Sequence, residues 1–127
     1  MINYKLLLRM IKQYSKDMSI DSIDVDDENQ VDNPMVQDLE IVGGFDRYQI
    51  DAIIHAISSD DIADDDMNEI NYQFVAFYLA KHHNEYEVHD INSLLRAIRN
   101  DKICKDFEED FTNDDLDKVM IEVNRMS

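Results

Sequence analysis

Residues 74–80 read Phe74-Val75-Ala76-Phe77-Tyr78-Leu79-Ala80, an unbroken apolar run. Met67 and Ile70 precede it at helical spacing, and the pattern predicts a helix over 67–81 that is apolar all round and therefore sits in the interior. A β-sandwich needs many tight turns, yet the 127 residues hold only two glycines and one proline. The fold class that follows is all-α, a compact bundle of five or six helices in which helix 67–81 supplies the central wall.

The flanking sequence supplies partners for that wall. Residues 2–18 set Tyr4, Leu7, Ile11, Tyr14 and Met18 on one helical face and Lys5, Arg9, Lys12 and Lys16 on the other. Gly43-Gly44 punctuates the chain, and Asp46…Gln49 after it has capping-box spacing, which predicts a helix over 47–58 burying Tyr48, Ile53, Ile54 and Ile57. Asp90 caps a helix carrying Leu94, Leu95 and Ile98, a short segment holds Ile103 and Phe107, and Thr112…Asp115 opens a last helix with Leu116, Val119, Met120 and Val123. Ser19 to Asp38 is expected to be a charged loop. Alternation at Ile23 and Val25 leaves open a short β-hairpin or strand pair within residues 20–45, with Leu39 to Val42 as a short strand or the loop's end. No repeat at a fixed period is visible, and residues 1–127 are expected to form a single acidic helical domain.

The charge is lopsided. Twelve Lys and Arg face 29 Asp and Glu, for a net charge of -17. Residues 17–80 alone hold 17 acids against the single Arg47. Such a balance repels phosphates and anionic lipid heads, so direct binding to nucleic acid or membrane is not expected. The Leu6-Leu7-Leu8 run is interrupted by Arg9 and Lys12 and makes a poor signal peptide. Cys104 is the only cysteine, which rules out an intramolecular disulfide and leaves a reducing cytoplasm as the expected location.

Catalytic and cofactor chemistry finds little support. Two glycines followed by Asp46 do not make a phosphate loop, so they are expected to be a turn before a helix. Asp24, Asp26 and Glu28 occupy the first, third and fifth places of a calcium loop, but Asn29 and Met35 stand where glycine and a bidentate glutamate are required. His82, His83, His89 and Cys104 match no zinc spacing, and adjacent histidines leave a helix in different directions. Lys102 and Lys105 beside Cys104 would lower its pKa, whereas a lone cysteine in a helical pattern is more often a small core residue. No catalytic residue, metal or cofactor is expected.

The remaining signal is clustered acid: Asp24, Asp26, Asp27 and Glu28; then Asp60, Asp61, Asp64, Asp65, Asp66 and Glu69; then Glu108, Glu109, Asp110, Asp114 and Asp115. Helix dipoles favour acids in a first turn by roughly 0.3–1 kcal/mol each, which accounts for two or three per helix and no more. Carboxylates at i and i+4 lie about 6 Å apart along a helix, within a factor of two of the 3.4 Å rise of phosphates along a DNA strand. These acids are therefore the expected partner-binding residues. The partner is expected to be a basic protein, a nucleic-acid-binding enzyme or a nuclease, whose basic surface this chain would occupy as a DNA mimic. Short, acidic, glycine-poor and helical, the chain looks like the phage and mobile-element anti-defence inhibitors as a functional class, with no specific motif behind the likeness. An immunity protein or antitoxin against one nuclease toxin, or a transcription-associated adaptor, uses the same electrostatics. The basic stripe of the first helix is expected to be solvated or internally paired, with a homodimer through an acidic patch of a second copy as the alternative.

Overall fold

The computed structural model describes residues 2–18, 34–83 and 88–126. Its α-helices are α1 (Tyr4–Asp17), α2 (Pro34–Ile41), α3 (Arg47–Ser59), α4 (Asp64–His83), α5 (Ile91–Asn100) and α6 (Asn113–Met126), with a 3-10 helix at Cys104–Asp110. The described residues thus hold seven helical segments and no strand, one segment more than the upper expectation. The protein is mostly helical, as the pattern predicts.

The extra segment, α2, and the form of the short 103–107 segment have local causes. Leu39 to Ile41 belong to α2, not to a strand or loop end, because Pro34 stands at the first helical position, where its missing N–H costs nothing. Met35, Val36 and Leu39 then recur on one buried face. The expectation of a strand pair in 20–45 therefore fails over 34–41, and residues 20–33 lie outside the described residues. The short segment holding Ile103 and Phe107 winds as a 3-10 helix, started by Asp101, whose carboxylate accepts from the amides of Ile103 and Cys104 at 3.0 and 2.8 Å.

Helix α4 is the wall around which the rest is arranged, packing against α1, α3, α5 and α6. Phe74, Val75, Ala76, Phe77 and Leu79 are fully buried. Phe77 meets Tyr14 of α1 and Phe45 of the α2–α3 turn edge to face, at 5.3 and 5.7 Å between ring centres, an arrangement that aromatic quadrupoles favour. The Tyr14 hydroxyl donates to Asp38 at 2.7 Å, and Lys81 pairs with the same carboxylate. Burial first, then the bond to Asp38, pushes the Tyr14 hydroxyl far above its ordinary value.

Caps set the helix starts. Asp46 and Gln49 form a complete capping box on α3, Asp90 and Ser93 another on α5, and at the start of α6 the backbone N–H groups of Thr112 and Asp115 each donate to the other's side-chain oxygen at 3.1 Å. Two predicted core residues lie outside the core. Tyr48 is 82% exposed because the buried stripe of α3 runs through Ile50, Ile53, Ile54 and Ile57, and position 48 falls on the opposite side. Tyr4, at the first position of α1, is 47% exposed, and Leu6 and Met10 join Leu7, Ile11 and Tyr14 in the buried stripe.

The two glycines of the Gly43-Gly44 turn are required for different reasons, Gly44 by its backbone angle and Gly43 by its neighbours. Gly44 adopts a left-handed φ of 68°, which favours glycine. A Cβ on Gly43 would stand 2.5 Å from the Phe45 ring and 2.8 Å from the Leu39 carbonyl. The Gly43 carbonyl accepts from Gln73 of α4 at 2.9 Å, which ties the turn to the central helix.

Candidate acidic interface

The acid-rich stretch between α3 and α4 is built on a fixed backbone. Asp60 ends α3 in the left-handed region, φ 59°, a conformation that aspartate tolerates better than most residues. The Ser59 hydroxyl donates to the carbonyls of His55 and Asp61 at 2.7 and 3.1 Å, and the buried Ile62 anchors the connection. Asp64, Asp65 and Asp66 form the first turn of α4, where the macrodipole favours them. Gln49 latches the two helices: its amide nitrogen donates to the Glu69 carbonyl at 3.0 Å and to Gln73 at 2.8 Å, while its oxygen completes the α3 capping box.

This latch places Asp51 and His55 of α3 opposite Asp65, Asp66 and Glu69 of α4. Together with Tyr48 and Ala52 they line an open concavity of about 470 Å³. No ion pair to Asp51, Asp65, Asp66 or Glu69 exists among the described residues. Four carboxylates surrounding a largely exposed tyrosine present both charge and a flat ring to a cation, and guanidinium or ammonium groups are attracted to such a ring. Asp51 and Tyr48 were not among the expected interface residues. Their signal was hidden because Asp51 joins the cluster only through α3–α4 packing.

The other expected residues separate into distinct groups. Asp60 and Asp61 are exposed, but Asp60 is paired with Lys12. Asp64 and Asp110, far apart in sequence, line one further concavity of about 420 Å³ with Tyr4, Lys5 and Met67, so the acids of α4 and of the 3-10 helix adjoin there. Glu109 is exposed, whereas Glu108 is partly buried and paired with Arg99. Asp114 pairs with Lys118 at 3.0 Å. Asp24, Asp26, Asp27 and Glu28 lie outside the described residues.

Asp115 is a correction. It is 0% exposed and cannot meet a partner. Its carboxylate accepts from the Thr112 amide at 3.1 Å and from the Tyr72 hydroxyl at 2.8 Å. Burial opposes ionisation, but hydrogen bonds, including those from Thr112 and Tyr72, outweigh it and hold the carboxyl down at about 2. Tyr72 responds oppositely: burial and then the bond to Asp115 push its hydroxyl up to about 12.

The residues weighed for metal or nucleophilic chemistry have structural surroundings. His82 stacks on Tyr78 and lies 2.9 Å from Asp17, and His89 stands 3.8 Å from Asp90 at the start of α5. Cys104 is fully buried, and burial followed by the nearby Asp101 carboxylate pushes its thiol far above the ordinary value, opposite to the effect expected of Lys102 and Lys105. Among the described residues no group of three or more His, Cys, Asp or Glu is placed to hold a metal ion. No helix there is long and apolar enough to cross a membrane. Comparison with models of known protein families, with curated proteins and with solved structures finds no match to this chain.

Proposed function

We propose that this protein is a non-catalytic acidic interaction protein that occupies the basic nucleic-acid-binding surface of a partner protein, inhibiting or regulating it as a DNA mimic. The observation that carries the reading is the α3–α4 concavity, where Asp51, Asp65, Asp66 and Glu69 surround exposed Tyr48 without an ion pair among the described residues. Helix-dipole stabilisation explains Asp65 and Asp66 but not Asp51 or Glu69, which lie beyond the first turns of their helices. Like charges held together on a latched scaffold destabilise the fold unless a positive surface receives them.

Tyr48 favours one further reading. An exposed aromatic among charges is the kind of anchor that dominates a specific interface, which suits an immunity protein or antitoxin with one cognate nuclease. The two readings separate on breadth. Capture from native-host lysate, with elution over increasing salt, tests the shared claim, because a charge-driven complex weakens as ions screen it. The Asp51→Asn, Asp65→Asn, Asp66→Asn, Glu69→Gln variant is expected to capture nothing that elutes in this way. Equal capture by the variant would refute the assignment of this concavity. Inhibition of several captured enzymes supports the broad mimic, and inhibition of one supports the immunity reading.

A further inference from the structure

Against an overall charge of -17, one groove is basic. Arg9, Lys12 and Lys16 of α1 and Lys102 after α5 line it together with Leu8, Ile57, Ile103 and one carboxylate, Asp60, and its volume is about 720 Å³. A third of the chain's twelve Lys and Arg therefore surround a single concavity. Two of the four are already committed. Lys12 pairs with Asp60 and donates to the Ile57 carbonyl at 2.7 Å, and Arg9 stands 3.6 Å from Asp106 and over the Phe107 ring. Lys16 and Lys102 are exposed and have no ion-pair partner among the described residues.

We propose that this groove binds a small phosphate ester, its head group held by Lys16 and Lys102 and its body lying on Leu8, Ile57 and Ile103. Two uncompensated cations match the nearly dianionic charge of a phosphate monoester near neutral pH. The volume is that of a ligand-sized cleft, and Leu8, Ile57 and Ile103 supply apolar surface beside the charged groups, the two kinds of lining such sites combine. Size decides between a small ligand and a large one. The Debye length at physiological salt is about 8 Å, so a ligand confined to the groove meets chiefly its own lining, in which four cations face the single carboxylate of Asp60. A nucleic acid, an acidic protein or a second copy of this chain extends beyond that distance and meets the surrounding carboxylates.

Direct titration of the full chain with three probes tests this: pyrophosphate alone, ADP, and decyl phosphate below its micellar concentration. Calorimetry at low salt gives the affinities, and circular dichroism confirms that variants are folded. Saturable binding of ADP or decyl phosphate is expected, tighter than that of pyrophosphate because of the apolar surface. Preference for ADP identifies a nucleotide-type body, and preference for decyl phosphate a lipid-type body. Lys16→Gln, Lys102→Gln should weaken binding about tenfold or more, whereas Lys105→Gln, outside the groove, should leave it unchanged. Absence of saturable binding by all three probes up to about 1 mM overturns the proposal. Equal binding by the folded Lys16→Gln, Lys102→Gln variant also overturns it. A salt-sensitive dimer in ultracentrifugation that the same double substitution dissolves would assign the groove to a second copy instead, and would equally overturn it.

Discussion

Replacing Asp115 separates a structural acid from its surface neighbours. The side chain closes the Thr112 cap and receives the Tyr72 hydroxyl in a fully buried position. Loss of a cap costs about 1 kcal/mol. A hydrogen bond to a charged group contributes about 1.5–3 kcal/mol. Asp115→Ala should therefore lower stability by about 2–4 kcal/mol, the two contributions being partly shared. For a chain of this size that corresponds to a Tm lower by roughly 8–16 °C. Asp115→Asn keeps an acceptor but not the charge and should lose about half as much. Asp114→Ala removes an exposed helix pair with Lys118 and should cost no more than about 0.5 kcal/mol. The pH dependence adds a second check. Asp115 is held at about 2 in the folded protein and titrates near 3.9 when unfolded, a lowered value whose stabilisation is complete above about pH 4. It is lost as pH falls through the folded value. The deficit of Asp115→Asn relative to the unaltered protein should therefore shrink between about pH 4 and pH 2. Chemical denaturation across that range is the assay. Equal stabilities for the Ala variants at 114 and 115, or a deficit that does not change with pH, would refute the reasoning.

Other consequences are equally direct. Gly44→Ala forces a Cβ into the left-handed region and should destabilise by about 1 kcal/mol, measured by urea denaturation. Gly43→Ala should cost more, because its Cβ meets the Phe45 ring and the Leu39 carbonyl. Phe77→Ala empties the centre of the aromatic cluster and should lower stability by about 3–5 kcal/mol in the same assay. Cys104 should resist a thiol reagent at neutral pH in the folded chain and react promptly in denaturant, followed by mass spectrometry.

The fold was legible wherever apolar spacing was dense. The run at 74–80 announced the central helix, and Asp46, Asp90 and Thr112 marked helix starts because a cap is a local interaction that spacing records. Helix α2 was concealed by its acidic surroundings, although Pro34 at a first helical position was the available sign. Tyr48 reads as a core residue in the sequence, while the phase of Ile50, Ile53, Ile54 and Ile57 turns it outward. Asp115 carried its own signal: the spacing from Thr112 that predicts a cap also predicts a carboxylate turned back onto the backbone. The acidic concavity was only partly visible. Its α4 acids formed a cluster in the sequence, but Asp51 reached them through the Gln49 latch, a contact between helices that no periodicity encodes.

Displacement measured on a captured basic partner addresses the mimicry claim most directly. Fluorescence anisotropy of a labelled DNA duplex bound to that partner should fall to the free-duplex value as this protein is added, with a one-to-one endpoint at low salt. The Asp51→Asn, Asp65→Asn, Asp66→Asn, Glu69→Gln variant should leave the anisotropy high. A ternary complex that retains the duplex, or equal displacement by the neutralised variant, would contradict an acidic surface acting in place of nucleic acid.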